Sequence, residues 1–152
     1  MKGTYCLIIS MKKSDKIKIG NLYPEAYKFK KGYYVYIGSA MNSLISRLNR
    51  HLSDDKKMHW HIDYLLTSEY SEIREILFTD SEKRIECDLA NEIAEDGLEI
   101  EGFGCSDCNC NSHLIFFNRK RDALRRVKDA YESLGIEYYD LKYFRTIDNK
   151  KD

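Results

Sequence analysis

The sequence predicts a small α/β domain of the α+β kind, in which a mainly antiparallel central sheet is flanked by helices. Three observations predict this fold class. Short segments rich in Tyr, Ile and Val, such as residues 4–10 and 33–37, are typical of strands. Residues 41–52 repeat apolar side chains at three- and four-residue spacing, which indicates an amphipathic helix. A length of 152 residues suits one domain with a buried core.

The first third of the chain reads as three strands. Residues 4–10 form a run typical of a buried strand. Ile17 and Ile19 alternate with lysines, which predicts a half-buried second strand. The following segment contains Pro24 and is predicted to be a loop. With the strand at 33–37, these segments predict an antiparallel meander.

The rest of the chain alternates helices and strands. Thr79-Asp80-Ser81-Glu82 matches a capping box and predicts a helix that starts there. Strands are predicted at 72–78 and 113–117, and a final helix at 118–134 ends at Gly135. The apolar segment 60–66 is compatible with either a helix or a strand. On a strand, His59, His61 and Asp63 would share one side.

Charge is unevenly distributed along a chain whose formal net charge is zero. Residues 1–57 carry 12 Lys and Arg against 4 Asp and Glu, whereas residues 58–117 carry 3 against 14. A basic first third favours a polyanionic partner, although long lysines also simply solvate a surface. No apolar run has the length of a membrane span or a signal peptide, so we expect a cytoplasmic protein without a membrane partner. The odd count of five cysteines does not suggest a disulfide framework.

A tyrosine motif split between two predicted strands carries most of the functional information. Gly3-Thr4-Tyr5 opens the first strand, and Tyr36-Ile37-Gly38-Ser39 closes the third. Arg47 follows nine residues after Gly38, and His51 follows four residues later on the same predicted helix. Tyrosines on strands usually serve packing, so the ordered combination is what points to chemistry.

This order resembles the GIY-YIG nuclease superfamily. Further segments resemble its small prokaryotic branch of uncertain function, which is found alone or fused to endonuclease-III-type DNA glycosylases in archaea. These segments are residues 32–40, 59–65, 86–87, 102–104 and 107–114. The resemblance runs from about residue 3 to residue 117. It therefore implies a GIY-YIG-like nuclease domain at 1–117, with residues 118–152 as a helical extension packed on it.

The resemblance implies a metal-dependent DNA endonuclease, with a role in DNA repair or processing. Tyr5 and Tyr36 resemble the family's active-site tyrosines, and Tyr5 is our first choice as general base. Arg47 resembles the catalytic arginine, His51 the helix histidine, and Glu86 the carboxylate that binds Mg²⁺ or Mn²⁺. One carboxylate is chemically sufficient, since Mg²⁺ keeps several waters and takes phosphate oxygens as ligands. The family's late asparagine has no assigned counterpart in this sequence.

Several other residues are candidates for nucleic-acid contacts, and a DNA-repair glycosylase is a candidate partner through the fusions in the related branch. The nucleic-acid-binding candidates are Gly38, Ser39, Arg50, His61, Arg119 and Arg121. A glycine beside an active tyrosine allows close backbone approach to a phosphate. Arg119 and Arg121 open a basic predicted helix, where an anion would offset the helix dipole, although pairing with neighbouring aspartates is the plainer interpretation.

A compact group of four soft ligands forms a second constellation: Cys105, Cys108, Cys110 and His113. Such a group could bind Zn²⁺, but structural zinc sites usually use two separated pairs. The sequence therefore favours Mg²⁺ or Mn²⁺ over Zn²⁺ as the cofactor. The alternative to an enzyme is a nucleic-acid-binding module on a nuclease scaffold, with weak or no catalysis.

Overall fold

The computed structural model describes residues 1–105 and 110–151, with side chains to residue 148, and confirms a mixed α+β fold. The strands are β1 (Gly3–Met11), β2 (Asp15–Ile17), β3 (Tyr27–Phe29), β4 (Gly32–Ala40), β5 (Ser71–Phe78), β6 (Leu98–Glu99) and β7 (Leu114–Phe117). The helices are α1 (Leu44–Leu52), α2 (His61–Leu66), α3 (Glu86–Ala94), α4 (Lys120–Ser133) and α5 (Leu141–Lys151).

Five of the strands form one antiparallel sheet in the order β5-β1-β4-β7-β6. The long strands β1 and β4 are its centre, and all nine residues of β1 are buried. Successive strand residues point to opposite faces. Leu7, Ile9 and Tyr34 therefore pack on the side of α1, α2 and α5, while Cys6, Ile8 and Ile37 pack on the side of α3 and α4.

The predicted three-strand meander is wrong. β1 pairs directly with β4 along its whole length, from Gly3 opposite Ala40 to Met11 opposite Gly32. β2 pairs instead with β3, a short strand inside the segment that was predicted to be a loop, and the two form a separate hairpin. The physical reason is the burial of β4 on both faces, which makes it the better partner for the fully buried β1.

The capping box does not start a helix. Thr79 Oγ1 accepts from the Ser81 amide and Ser81 Oγ from the Lys83 amide, so these side chains form local turns. Helix α3 begins only at Glu86, after Ile85. Residues 61–66 are the helix α2, so His59, His61 and Asp63 do not alternate on a strand. Helix α5 carries no sequence-based prediction.

Helix α1 is stabilised by a capped N-terminus and by the burial of its apolar face. Ser43 accepts a hydrogen bond from the Ser46 amide and caps the N-terminus. Leu44 and Leu48 are fully buried against the sheet, which leaves Arg47 on the flank of the helix, facing the end of β4. Among the described residues, no helix is long and apolar enough to cross a bilayer.

Candidate functional site

A cleft of about 570 Å³ lies at the end of β4 and draws residues from both faces of the sheet. Ser39 and Tyr36 point to opposite faces because they lie three positions apart on one strand. The cleft is lined by Thr4, Tyr36, Gly38, Ser39, Met41, Arg47, Trp60, Arg84, Glu86, Cys87, Gly104 and His113. Tyr36, Arg47 and Trp60 form what we call the α1 wall, and Glu86, Cys87 and His113 form the α3 wall.

The two tyrosines of the split motif meet because Gly38 lies directly opposite Tyr5. A Cβ on Gly38 would sit 2.6 Å from the Tyr5 ring and hydroxyl, so only glycine leaves room for the ring there. Tyr36 is the diagonal neighbour on the same face, with ring centroids 6.4 Å apart. Gly38 thus serves the packing of Tyr5 over the β4 backbone.

Tyr5 is fully buried and does not line the cleft. Its hydroxyl lies 2.7 Å from His51 Nε2. Burial lowers the pKa of His51 to about 3, with Lys56 adding repulsion, so the imidazole is neutral. Burial also raises the pKa of Tyr5. His51 Nδ1 is buried and has no hydrogen-bond partner among the residues that the structure describes. Tyr5 and His51 therefore form a neutral pair behind the cleft.

Tyr36 is the tyrosine that reaches the cleft, and 7% of its surface remains exposed. Burial, Tyr5 and Glu86 all raise its pKa, so its hydroxyl is protonated at neutral pH. Of the two motif tyrosines, Tyr36 is therefore the one that lines the cleft. That Tyr5 serves as general base stays a prediction, and its hydroxyl lies against His51 behind the cleft.

Arg47 is held in a defined orientation over the cleft. Its Nη1 donates to the Ser39 carbonyl at 2.9 Å, and its guanidinium carbon lies 4.1 Å from the centre of the Trp60 ring. Stacking on an aromatic face fixes the plane of a guanidinium. The arginine predicted to be catalytic therefore presents a planar, pre-oriented cation to the cleft.

Arg50 is placed differently from Arg47, although both stack on Trp60. Both of its terminal nitrogens donate to the buried Asp63 carboxylate at 2.8 Å. Burial opposes ionisation of Asp63, but Arg50 and the His59 and Trp60 amides outweigh it and lower the pKa. The pair joins α1 to the start of α2, so Arg50 has a structural role, and its predicted contact with nucleic acid stays a prediction.

Glu86 opens helix α3 and is the sole carboxylate among the described residues that line the cleft. Ser39 Oγ donates to its Oε1, and its Oε2 lies 3.7 Å from His113 Nδ1. These contacts hold the carboxylate on the α3 wall, across the cleft from Arg47. A carboxylate that faces open cleft space is the kind of oxygen ligand that Mg²⁺ binds in proteins.

Two members of the four-ligand group predicted from sequence, Cys110 and His113, lie beside a third possible ligand, Cys87. Cys87, Cys110 and His113 bring their ligand atoms within 4.8 Å of one another. Cys87 comes from the first turn of α3 and lies outside the predicted group. Cys105 is not part of this cluster, and Cys108 lies outside the described residues. Two sulfurs and an imidazole are soft ligands, so the cluster suits Zn²⁺ rather than Mg²⁺.

Comparison with known families assigns this chain to a family. The family model described as "Domain of unknown function DUF123" matches residues 4–136. The chain belongs to the DUF123 family. No curated protein matches the chain, and no solved structure matches it. The matched range includes both tyrosines, Arg47, Glu86 and the Cys87–His113 cluster, so the whole cleft lies within the DUF123 region.

The other residues of this DUF123 chain that were predicted to bind nucleic acid lie at different distances from the cleft. Gly38 and Ser39 line the cleft. His61 lies at its rear, where its Nδ1 accepts from the Gly104 amide at 3.0 Å, and burial lowers its pKa. Arg119 and Arg121 flank the start of α4, beyond the Phe117 end of β7, which pairs with Tyr33 at the far end of β4. That end is about 20 Å from Ser39 at the usual rise per strand residue.

Sequence reasoning did not single out the polar or aromatic side chains of Trp60, Arg84 and Cys87 in the cleft of the DUF123 domain. It named His113 as a possible zinc ligand but not as a neighbour of Glu86. For Cys87 a signal existed, since it follows the predicted metal ligand Glu86 directly. Trp60 also had a signal, since it lies in segment 59–65, which resembles the related branch. Arg84 lacks one, because only the docking of the turn before α3 brings it to the cleft.

Proposed function

We propose that this protein is a metal-dependent endonuclease of the GIY-YIG type, which hydrolyses phosphodiester bonds in DNA. The observation that carries the proposal is the convergence of Tyr36, Arg47 and Glu86 on one cleft from β4, α1 and α3. A phosphate that binds between Arg47 and Glu86 would meet a cation on one side and a carboxylate able to hold Mg²⁺ on the other. The resemblance of the split tyrosine motif to that superfamily supports the same function.

Arg47 has the clearest role in the proposed reaction. One of its N–H groups is committed to the Ser39 carbonyl, and a guanidinium has five donors. Arg47 also approaches the Tyr5 hydroxyl, where it opposes the rise in the pKa of Tyr5. The remaining donors would bind the oxygens of the scissile phosphate, with the plane fixed by Trp60. Its charge stabilises the additional negative charge that develops on the phosphate in the transition state.

Glu86 would hold Mg²⁺ or Mn²⁺ through the carboxylate that Ser39 and His113 orient. Such an ion offsets phosphate charge and makes water more acidic. Ser39 is therefore a positioning residue, because it donates to Glu86 through its hydroxyl while its carbonyl holds Arg47. One residue of β4 fixes both groups that the phosphate would contact.

Because the pKa of Tyr36 is raised, its resting hydroxyl is neutral, so it would hydrogen-bond to the attacking water and orient it towards the phosphate. The proton that the water loses would pass to bulk solvent through the open cleft. The buried Tyr5–His51 pair packs behind it, with the His51 ring 6.2 Å from the Tyr36 ring. This pair keeps Tyr36 aimed into the cleft without contacting the substrate.

The test is a nicking assay with Mg²⁺ or Mn²⁺ on branched, flapped and plain duplex DNA. We expect cleavage by the wild type and its loss in Arg47→Ala and Glu86→Ala. Glu82→Gln, an exposed acid upstream of α3, is the matched control and should cleave normally. Cleavage that survives in both cleft variants would show contamination or another site.

A second candidate function is a nucleic-acid-binding module with weak or no catalysis. It is favoured by the raised pKa of both motif tyrosines, since neither is an anionic base at rest. DNA binding that depends on Arg47, without cleavage of any substrate under any metal, would establish this function instead.

A further inference from the structure

Three soft ligand atoms converge where α3 meets the segment before β7. His113 Nε2 lies 2.9 Å from Cys110 Sγ and 3.7 Å from Cys87 Sγ. Ligands of a tetrahedral Zn²⁺ with Zn–S and Zn–N bonds of about 2.3 and 2.0 Å lie roughly 3.5 Å apart. The Cys87 contact is already near that separation, and the Cys110 contact would have to open slightly.

The other side of the His113 ring supplies a second, independent observation. Nδ1 faces Glu86 Oε2 at 3.7 Å, while Nε2 faces the two sulfurs. A histidine that binds metal through one nitrogen commonly donates its other N–H to a carboxylate, which fixes the tautomer and the ring orientation. His113 is 4% exposed, so its ring is held in this orientation by packing.

We propose that Cys87, Cys110 and His113 bind one Zn²⁺ ion, with Glu86 as the carboxylate that orients His113. Zn²⁺ favours thiolate and imidazole, whereas Mg²⁺ favours oxygen, so the cluster discriminates between the two ions. Two thiolates and a neutral imidazole balance the charge of the ion. The proposal does not depend on nuclease activity.

The ion would join elements that are distant in sequence. Cys87 lies in α3, and Cys110 and His113 lie on the approach to β7, so the site would tie the two sides of the α3 wall together. Because His113 contacts Glu86, the ion would also fix the carboxylate that faces the cleft. The site is therefore a structural support of the cleft.

Elemental analysis of the purified full chain after exposure to Zn²⁺ and removal of free metal tests the proposal. We expect one equivalent per chain in the wild type and less than a tenth of that in Cys87→Ser, Cys110→Ser and His113→Ala. Cys6→Ala, which removes a buried thiol on β1, and His59→Ala, which removes an exposed imidazole, should keep the full equivalent. Full zinc content in Cys87→Ser would overturn the proposal.

A measurement on the wild type alone guards against variants that fail to fold. Co²⁺ bound in place of Zn²⁺ should give the intense thiolate-to-metal absorption in the near ultraviolet. Added Zn²⁺ should also protect two thiols per chain from a thiol-titrating reagent. Absence of both signals in folded wild type would overturn the proposal. Rapid alkylation of Cys110 in protein supplied with zinc would likewise do so, and would indicate a thiol activated by His113.

Discussion

The two walls of the cleft come from opposite faces of the same sheet and differ in chemistry. The α1 wall presents nitrogen and hydroxyl groups, with Arg47 stacked on Trp60 beside Tyr36. The α3 wall presents metal ligands, with Glu86 linked through His113 to two thiols. Under the proposed function, phosphate and metal would therefore be bound by separate elements of the fold, which can be altered separately.

The largest expected effects are on the rate of DNA cleavage, and substitutions in the two walls should differ in how that rate depends on Mg²⁺. Arg47→Ala should slow DNA cleavage by about 10²–10³-fold at saturating Mg²⁺ because charge stabilisation is lost. Its Mg²⁺ concentration for half-maximal rate should not change. Glu86→Gln should slow cleavage by a similar factor and raise that concentration about tenfold or more. Mg²⁺ titrations of cleavage rate measure both.

Identical Mg²⁺ dependence in the two variants would break the division between the walls. Arg50→Ala is the matched control on the helix of Arg47, since it also loses a stack on Trp60 but no group in the cleft. Its effect should appear in stability, because it leaves the buried Asp63 unpaired.

Tyr36→Phe should lower the cleavage rate by about 10–100-fold, which is less than the roughly 10²–10⁴-fold loss of a general acid or base, because its neutral hydroxyl orients the water and does not take its proton. The ring remains, so the free energy of unfolding should change little. Tyr34→Phe is the matched control, because its hydroxyl bonds to the Lys30 carbonyl away from the cleft. Single-turnover cleavage rates compare them, and equal rates for wild type and Tyr36→Phe would remove Tyr36 from the chemistry.

Gly38→Ala tests how tightly the α1 wall is packed. Its new methyl group would lie 2.6 Å from Tyr5, so the ring must shift, which costs about 1–3 kcal/mol in the free energy of unfolding. Urea denaturation measures the loss. An unchanged midpoint would show that the Tyr5–His51 pair adjusts freely.

The buried His51 predicts a pH dependence of stability. Its folded pKa of about 3 lies below the unfolded value near ~6.5, so the unfolded chain binds the extra proton between these values. The contribution of neutral His51 to the free energy of unfolding is fully present above pH ~6.5, and it falls by up to about 1.4 kcal/mol per pH unit below that. Urea denaturation at pH 5.5 and 7.5 should show a smaller pH effect in His51→Gln than in wild type.

The smallest expected effect concerns the basic start of α4, which lies at the far end of β4. Arg119→Ala and Arg121→Ala should change cleavage rates less than about twofold, since neither side chain lines the cleft. Their effect on DNA affinity should be weak and should vanish at high salt. A loss comparable to that of Arg47→Ala would require DNA to extend along the sheet.

Some elements of the fold can be predicted from the sequence and others cannot. β1, β4 and α1 are predicted because their apolar patterns are local, and Tyr36, Arg47 and Glu86 are predicted by the resemblance of their motifs; all three line one cleft. The predicted start of α3 was wrong because the Thr79 and Ser81 hydroxyls accept hydrogen bonds from nearby amides in turns and do not cap a helix. The pairing of β1 with β4 could not be predicted, since pairing depends on which strands bury each other.

The sequence by itself determined the fold class, the amphipathic α1 and the residue types of the proposed phosphate site, because these depend on local periodicity and on the order of motifs. Only the tertiary structure decided that Tyr36 rather than Tyr5 reaches the cleft, that Arg50 is bound to Asp63, and that Cys87 joins Cys110 and His113. The physical reason is that burial and ligand convergence are set by contacts between residues far apart in the chain, which no local pattern encodes.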